Sequence, residues 1–426
     1  MPERGLFELL EERGFIGQVT DPGLARVLDQ DQLTLYAGFD PTAPSLHVGN
    51  LLVIMCMAQF QRHGHRPIAL VGGGTGMIGD PSGKSSERPL LSEDEIEFNL
   101  KGIRGQLERF LEFGQEDNAA IMLNNAEWLT RFRFIEFLRE VGKFFRLGEM
   151  LARESVKMRL ASEEGMSFTE FCYQALQAYD FLYLFDHYNC RLQIGGSDQW
   201  GNITAGMDLI RRLRAKTAYG LVSTLITTST GVKFGKTEAG TVWLAPSMTS
   251  PYQFYQYWIQ TDDRDVIQYL NYFTFMEKQE IESLKKELEE HPENRVAQHA
   301  LASEVTALVH GTDAAGKAVQ ASGVLFGEKI ENLSDEDLEM IFKEVPSSRF
   351  PRGRLEQGMA LVDALLETGL CKSKSEARRL IQGGGAYVNN VRVSKTDMVI
   401  RLKNLASEHI LVLRTGKKTY HLVRFD

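Results

Sequence analysis

The sequence has little cysteine, with four residues in a chain of 426: Cys56, Cys172, Cys190 and Cys371. They lie far apart, without the close pairs that a zinc site usually needs. Scattered free thiols are typical of proteins in a reducing compartment. We therefore expect a cytoplasmic protein with no protein-bound metal.

Long apolar runs are also missing. No segment approaches the length of about eighteen uncharged apolar residues that a membrane-spanning helix needs. The first five residues lack the basic stretch and apolar run of a secretory signal. Membrane insertion and secretion are therefore not expected. With 43% hydrophobic and 25% charged residues, the composition is that of a folded globular protein, and the length predicts two or three domains.

Charge is distributed unevenly along the chain. From Pro351 onward there are fourteen Lys and Arg residues against seven Asp and Glu, a net charge of +7, whereas the remainder has 34 against 50, a net charge of −16. A basic terminal segment on an acidic body indicates contact with a polyanion. A solvated basic face without a partner is the alternative.

The first third of the chain has the pattern of a parallel α/β sheet. Residues 33–39 form an apolar strand, the proline-containing segment 40–45 forms a loop, and a helix begins near His47. Residues 67–73 form a second strand that enters a glycine-rich turn. This order of apolar strands and helix is typical of α/β proteins.

That glycine-rich turn, residues 74–79, fits the pattern GxGxxG, but it does not predict a dinucleotide site. The pattern should open a helix, whereas Pro81 keeps Asp80 away from helical angles.

Two segments have the chemistry of phosphate binding. Thr42, His47, Gly49 and Asn50 surround a predicted helix start, where unpaired N–H groups favour anions. Residues 233–237 place two lysines around a glycine, in a stretch that could close on phosphates. Taken alone, a surface histidine and an exposed basic turn explain these segments equally well.

Two further segments carry polar groups at positions suited to a ligand. In a helix capped by residues 167–170, Tyr173, Gln177 and Asp180 recur on one face. Gly196, Asp198 and Gln199 follow the apolar strand 191–194, and the carboxyl ends of such strands are where open α/β sheets bind ligands. A solvated helix face is the alternative for the first set.

Together these segments resemble one family. Residues 36–42 (YAGFDPT), 47–50 (HVGN), 79–84 (GDPSGK), 193–202 (QIGGSDQWGN) and 233–237 (KFGKT) occur in the order found in bacterial tyrosyl-tRNA synthetases, and the resemblance covers nearly the whole chain. HVGN resembles the family's HIGH signature and KFGKT resembles its KMSKS loop.

The resemblance implies substrates, partners and residue roles. The substrates would be L-tyrosine, ATP with Mg²⁺ and the tRNA for tyrosine. The implied catalytic residues are Thr42, His47, Asn50, Lys84, Arg88, Lys233, Lys236 and Thr237. The implied tyrosine-binding residues are Tyr36, Asp80, Tyr173, Gln177, Asp180 and Gln199. The implied ATP-binding residues are Asp40, His47, Gly49, Asn50, Gly196, Asp198 and Lys236.

Two positions depart from the family pattern. Asn50 stands at the fourth HIGH position, where its amide can form hydrogen bonds but cannot carry charge. KFGKT lacks the usual Met and both Ser residues. A closer literal match, residues 372–375 (KSKS), lies in the basic terminal segment, far from the nucleotide loops, and is not taken as the signature.

The resemblance also implies the domain organisation. We expect a Rossmann-like parallel-sheet catalytic domain over residues 1–246, an α-helical domain over 247–324, a linker over 325–352 and a small α+β RNA-binding domain over 353–426. The implied RNA-binding residues are Lys372, Lys374, Arg378, Arg379, Lys417 and Lys418.

The family also implies a homodimer. A predicted helix over 134–145 carries the apolar stripe Phe134, Phe137, Leu138, Val141 and Phe145, which suits either core packing or a dimer contact.

Two other functions are compatible with parts of the pattern. A tryptophanyl-type synthetase shares the fold and both signatures, but Tyr36 and Asp180 argue against it. A non-catalytic RNA-binding relative is opposed by the retained His47, Lys233, Lys236 and Asp198.

Overall fold

The computed structural model describes residues 5–82, 91–161, 165–229, 231, 234–237, 240–325, 327–330, 333–343, 345–416 and 419–426. The chain divides into two compact units, described separately below. The first contains residues 1–250 with 257–310, and the second contains 251–256 with 311–426.

The first unit is built on a sheet of six strands within the described residues, in the order β1-β6-β5-β2-β3-β4. All neighbours pair in parallel except β1 and β6. The strands are β1 (Gln18–Val19), β2 (Thr34–Phe39), β3 (Arg66–Val71), β4 (Ile121–Asn124), β5 (Cys190–Gly196) and β6 (Tyr219–Ser223). The chain continues from β2 to β3 on one side and later places β5 on the other side of β2.

Helices cover this sheet and extend the unit. They are α1 (Leu6–Glu12), α2 (Leu24–Gln30), α3 (Val48–Arg62), α4 (Glu93–Leu107), α5 (Ala126–Leu129), α6 (Phe134–Glu140), α7 (Leu147–Leu151), α8 (Glu154–Leu160), α9 (Phe168–Tyr188), α10 (Trp200–Arg214), α11 (Pro251–Ile259), α12 (Val266–Phe273), α13 (Lys278–Glu290) and α14 (Val296–His310). A small hairpin of two strands with two residues each, β7 (Lys236–Thr237) and β8 (Gly240–Thr241), precedes α11. Residues of α11 belong to both units. Within the described ranges, no helix is long and apolar enough to cross a membrane.

The central elements are buried because their sequences are apolar on every side. In β3, Ile68 and Val71 are fully buried, and in α3 apolar residues occupy most positions of all faces. One apolar cluster includes Tyr36 of β2, Phe181 of α9 and Leu209 of α10. The side chains of the site therefore project from a tightly packed framework.

The start of α9 is fixed by two interactions. Ser167 accepts a hydrogen bond from the Glu170 backbone N–H at 3.2 Å, a capping box predicted from the sequence. Glu170 also accepts from Arg159 of α8 at 2.8 Å, and both side chains are only 3% exposed. Removing one partner of a buried ion pair leaves an uncompensated charge, so this pair holds α8 against α9.

The second unit has a five-stranded sheet in the order β12-β11-β14-β15-β9 among the described residues, with β10 and β13 pairing separately. Its elements are α15 (Thr312–Leu325), α16 (Asp335–Ile341), β9 (Ser347–Phe350), α17 (Gly353–Gln357), β10 (Met359–Ala360), α18 (Leu361–Glu367), α19 (Lys374–Gln382), β11 (Ala386–Val388), β12 (Val391–Val393), β13 (Val399–Ile400), β14 (Ile410–Thr415) and β15 (Thr419–Phe425). Leu365, Ile381 and Phe425 are fully buried in its core.

The structure corrects two predictions. The linker expected over 325–352 contains α16 and β9, and β9 pairs in parallel with β15. This segment is therefore part of the second unit, whose residues 311–426 we call the terminal module. Backbone pairing with a strand more than seventy positions away has no local sequence signal. The helix expected over 134–145 ends at Glu140, and residues 142–144 form a 3-10 turn instead.

Candidate active site

The site lies at the carboxyl end of the sheet, where β2 and β5 are neighbours. The connections from these two strands lead to opposite sides of the sheet, and such a crossover leaves a crevice suited to ligands. The segments that follow the two strands contain Asp40 and Thr42 on one side and Asp198 and Gln199 on the other. The topology therefore brings together segments that are about 150 residues apart in the chain.

Two polar side chains near this end of the sheet are buried, one on β2 and one on α9. Tyr36 is fully buried, its ring centroid is 5.3 Å from that of Phe181, and its hydroxyl has no hydrogen-bond partner in the part of the chain that the structure describes. Asp180 is 1% exposed and accepts hydrogen bonds from Asn125 at 2.9 Å and from the Trp128 indole N–H at 2.7 Å. An unpaired buried hydroxyl indicates a place for a polar ligand group.

The surroundings shift the acid–base properties of both groups. Burial raises the pKa of Asp180 to about 7, with a smaller contribution from Asp40 in the same direction, while the bonds from Asn125 and Trp128 oppose the shift. Burial also raises the pKa of Tyr36 well above 10.0, and the neighbouring Asp180 charge adds to this. Near neutral pH, Tyr36 is therefore a neutral phenol beside a carboxyl group that can still ionise.

The supporting residues Asn125 and Trp128 were not predicted. Asn125 accepts from the Gly74 backbone N–H at 2.7 Å and donates to the Thr75 hydroxyl at 2.9 Å, which links Asp180 to the glycine-rich turn after β3. Both residues follow β4 at the same edge of the sheet. That position was the available signal, since neither residue belongs to a periodic pattern.

A second polar cluster lies around Asp80, which is 7% exposed. Its carboxylate accepts from the Ser82 backbone N–H at 2.9 Å and from the Gln199 amide at 2.8 Å, and burial raises its pKa. Gln177 donates to Gln199 at 3.3 Å, which joins α9 to the segment after β5. The structure thus brings together three of the predicted tyrosine-binding residues. Tyr173 lies nearby in the chain and donates to Asp40 at 3.4 Å.

The predicted HIGH-like segment forms the start of α3. His47 is the N-cap residue, and its backbone N–H donates to the Asn50 side chain at 3.0 Å. A Cβ atom on Gly49 would lie 2.8 Å from the His47 ring, so only glycine allows this ring position. Thr42 is exposed in the loop before the helix, Gly196 is the last residue of β5, and Asp198 lies just beyond that strand.

The KMSKS-like loop lies directly beside this helix start. Val48 donates from its backbone to Val242 at 3.0 Å, and Leu244 donates to Leu46 at 2.9 Å. Lys236 and Thr237 are exposed in strand β7 of the small hairpin. Val242 in turn donates from its backbone to Gly235 at 3.0 Å, so the two predicted phosphate-binding segments are connected through residues 242–244. Lys84, Arg88 and Lys233 lie outside the described residues.

The predicted RNA-binding residues are on the second unit. Lys372, Lys374, Arg378 and Arg379 are exposed on α19 or just before it, and Lys374 is paired with Asp363 at 2.7 Å. Lys417 and Lys418 lie outside the described residues. In the part of the chain that the structure describes, no group of three or more His, Cys, Asp or Glu side chains could hold a metal ion.

Known proteins are similar to this chain over nearly its whole length. Residues 28–327 match the family described as tRNA synthetases class I (W and Y), and residues 337–423 match the Tyrosine–tRNA ligase SYY-like C-terminal domain. The Tyrosine–tRNA ligase of Roseiflexus castenholzii is 52% identical over 420 residues, which are 98% of this chain and 99% of the relative.

Solved structures of synthetases are also similar to this chain. The C-terminally truncated mitochondrial tyrosyl-tRNA synthetase of Aspergillus nidulans has a TM-score of 0.69 and 33% identity, covering 76% of this chain and 95% of its own. A tryptophanyl-tRNA synthetase from Encephalitozoon cuniculi bound to tryptophan has a TM-score of 0.55 and 15% identity, covering 78% and 90%. At that identity the likeness concerns the fold alone.

The raised pKa of Asp180 predicts a pH dependence of stability. Between its ordinary value of 3.8 and about 7, the folded state binds the proton and the unfolded state does not, so stability falls as pH rises through this window. Asp180→Asn cannot ionise. We expect the variant to gain stability relative to the unmodified protein as pH rises. The difference between their free energies of unfolding, measured by urea titration, should increase by about 3 kcal/mol from pH 5 to pH 8. A difference that stays constant would contradict the raised pKa.

Proposed function

Because the chain belongs to the tyrosine–tRNA ligases of the class I tRNA synthetases, it joins tyrosine to its tRNA at the expense of ATP, and we propose how its residues do so. In the first step, the tyrosine carboxylate attacks the α-phosphate of ATP, giving tyrosyl-adenylate and pyrophosphate. In the second step, the 3′ end of the tRNA takes the tyrosyl group and AMP leaves. Relatives of this identity favour neither the tryptophanyl alternative nor the non-catalytic one.

The observation that carries the tyrosine assignment is the pair of buried polar groups Tyr36 and Asp180 on β2 and α9. The substrate phenol would donate to the Asp180 carboxylate and accept from the Tyr36 hydroxyl, which otherwise lacks a partner in the described structure. A substrate without the hydroxyl would leave the Tyr36 hydroxyl buried without a partner and Asp180 with only the two donors Asn125 and Trp128, which is unfavourable. These two side chains would therefore select tyrosine over phenylalanine.

The cluster around Asp80 would bind the amino-acid end of the substrate. Asp80 supplies a carboxylate for the ammonium group, with Tyr173 and Gln177 as further acceptors. Gln199, already bonded to Asp80, would lie near the substrate carboxylate. Buried or partly buried hydrogen bonds hold each of these groups before substrate arrives, so the reacting carboxylate would be held in one orientation.

Catalysis of adenylate formation would come from positioning and charge rather than from a general base. A carboxylate is already an adequate nucleophile, and negative charge moves to the departing pyrophosphate as the bond to the α-phosphate breaks. His47, Thr42, Lys236 and Thr237, on loops around the start of α3, would bind that charge as it develops. Lys84, Arg88 and Lys233 are proposed for the same task on the family resemblance.

The nucleoside part would bind on the other side of the crevice. Asp198 and Gly196 would contact the ribose and Asp40 and Gly49 the rest of the nucleotide, with Mg²⁺ entering as part of the ATP complex. Asn50 caps its own helix through its side-chain oxygen, which leaves its amide N–H₂ group as a neutral donor for this site.

The terminal module would bind the tRNA. Its exposed basic residues, with Arg378 and Arg379 on the outer face of α19, suit contact with phosphates. These contacts would anchor the tRNA without taking part in adenylate formation.

A homodimer is proposed on an exposed apolar surface. Over α6–α8 this surface includes Phe134, Ile135, Leu147 and Met158, each more than 60% exposed, whereas Val141 of the predicted stripe is buried. Apolar patches of this kind mark protein contacts.

The four free cysteines suit the reducing cytoplasm, where we place the protein.

The tyrosine assignment is tested by substrate selectivity. Asp180→Asn should lower discrimination between tyrosine and phenylalanine by about 10- to 100-fold, because the substrate phenol would donate to a neutral amide oxygen instead of a buried carboxylate. The measurement is the ratio of kcat/KM values in ATP–pyrophosphate exchange with each amino acid. Asp186→Asn, further along α9 and paired with Arg214 at 2.5 Å, is the control and should leave the ratio unchanged. Unaltered selectivity in Asp180→Asn would contradict the assignment.

The RNA-binding assignment is tested by salt dependence. Arg378→Ala with Arg379→Ala should weaken tRNA binding and reduce the slope of log K against log salt by about 2, since two phosphate contacts disappear. Pyrophosphate exchange should not change. Lys285→Ala with Lys286→Ala removes the same charge from exposed positions of α13 and should leave the slope intact. Equal slopes in the two double variants would count against α19.

The dimer is tested by sedimentation velocity. Phe134→Asp places a charge on the apolar surface and should convert the dimer to monomer, because the charge would have to be buried without a partner. Phe98→Asp, at a residue 67% exposed on α4, is the control and should remain dimeric. A monomeric unmodified protein, or a dimeric Phe134→Asp variant, would refute this surface.

A further inference from the structure

Gly235, in the middle of the KMSKS-like loop, is held on both sides of its backbone. Its N–H donates to the Tyr257 hydroxyl at 3.0 Å, and its carbonyl accepts from Val242 at 3.0 Å. Its φ is +78°, and a Cβ atom here would lie 2.8 Å from Cγ2 of Val48. The backbone of the loop is therefore pressed against the first turn of α3, in a conformation that glycine favours.

Tyr257 is itself held rigidly. Its ring meets Phe234 edge-on at 6.2 Å and Trp258 at 5.1 Å, within an aromatic cluster that also contains Phe273 stacked on Phe234. Burial raises the pKa of Tyr257 to about 12, so its hydroxyl is neutral at physiological pH. A neutral phenol oxygen is a stable acceptor for a backbone N–H.

We propose that Tyr257 is a positioning residue for Lys236 in adenylate formation. Its hydroxyl fixes the backbone at Gly235, and the next residue begins the β7–β8 hairpin that carries the Lys236 ammonium. No side-chain torsion lies between the fixed peptide and the start of Lys236. This inference rests on the proposed role of Lys236 at the departing pyrophosphate and names the contact that places it there.

The same aromatic cluster offers a matched control. Tyr269 lies 5.3 Å from Phe234 and is 4% exposed, and its hydroxyl has no partner within the described ranges. Tyr269→Phe therefore removes a hydroxyl from the same cluster, keeps the ring contact with Phe234 and removes no hydrogen bond to the loop. A change in general packing would affect both variants, whereas a change in loop position would affect only Tyr257→Phe.

The test is ATP–pyrophosphate exchange of the full chain with four variants: Tyr257→Phe, Tyr269→Phe, Lys236→Ala and the double variant Tyr257→Phe with Lys236→Ala. Loss of one hydrogen bond at Gly235 should lower kcat for exchange about tenfold in Tyr257→Phe, with KM for tyrosine unchanged within about twofold. Tyr269→Phe should match the unmodified protein. In the double variant, Tyr257→Phe should add little to Lys236→Ala, because its effect passes through that lysine.

Rates are compared below the melting temperature of every variant, so that they report the site and not unfolding. Equal rates for Tyr257→Phe and Tyr269→Phe would overturn the inference, as would effects of Tyr257→Phe and Lys236→Ala that multiply in the double variant. If Lys236→Ala alone exchanged at the normal rate, the proposed role of Lys236 would fail as well. A strong loss in Lys236→Ala with normal Tyr257→Phe would overturn only the role of Tyr257.

Discussion

The structure depends on keeping one carboxyl group, that of Asp180, inside an apolar cluster. Burying a carboxylate is unfavourable, and the surroundings offset only part of that penalty with the two hydrogen bonds from Asn125 and Trp128. Asn125 is in turn bound to the turn after β3. The remaining penalty is seen as a pKa of about 7, and in the proposed site a substrate hydroxyl would relieve it, so selectivity would follow from incomplete satisfaction in the free protein.

The proposed nucleotide side is organised differently, because its side chains Thr42, Asp198 and Lys236 are exposed and its order comes from backbone hydrogen bonds. Hydrogen bonds between residues 46–48 and 242–244 join two loops that are nearly two hundred positions apart. Phe234 anchors one of them in an aromatic cluster, while Lys236 remains in solvent. The amino-acid side is thus preorganised by buried side chains, and the phosphate side by the positions of loops.

Much of this was accessible from the sequence, and the parts that were not share a cause. The apolar runs around Tyr36 and the capping box of α9 are local patterns, and the structure has β2 and α9 where they were expected. The support of Asp180 by Asn125 depends on two strands meeting at one sheet edge, which no periodicity encodes. The prediction of a linker over 325–352 was wrong for the same reason, since β9 becomes a strand only by pairing with β15.

The parallel pairing of β9 with β15 also orders events in time. During synthesis, residues 347–350 leave the ribosome before their partner strand exists, and their pairing closes a loop of about seventy residues, whereas β14 and β15 are neighbours in the chain. The sheet of the terminal module therefore forms from its later hairpin, β14 with β15, and β9 is added last. A chain cut anywhere between these strands would keep an open sheet edge, a ready template for pairing with another nascent chain.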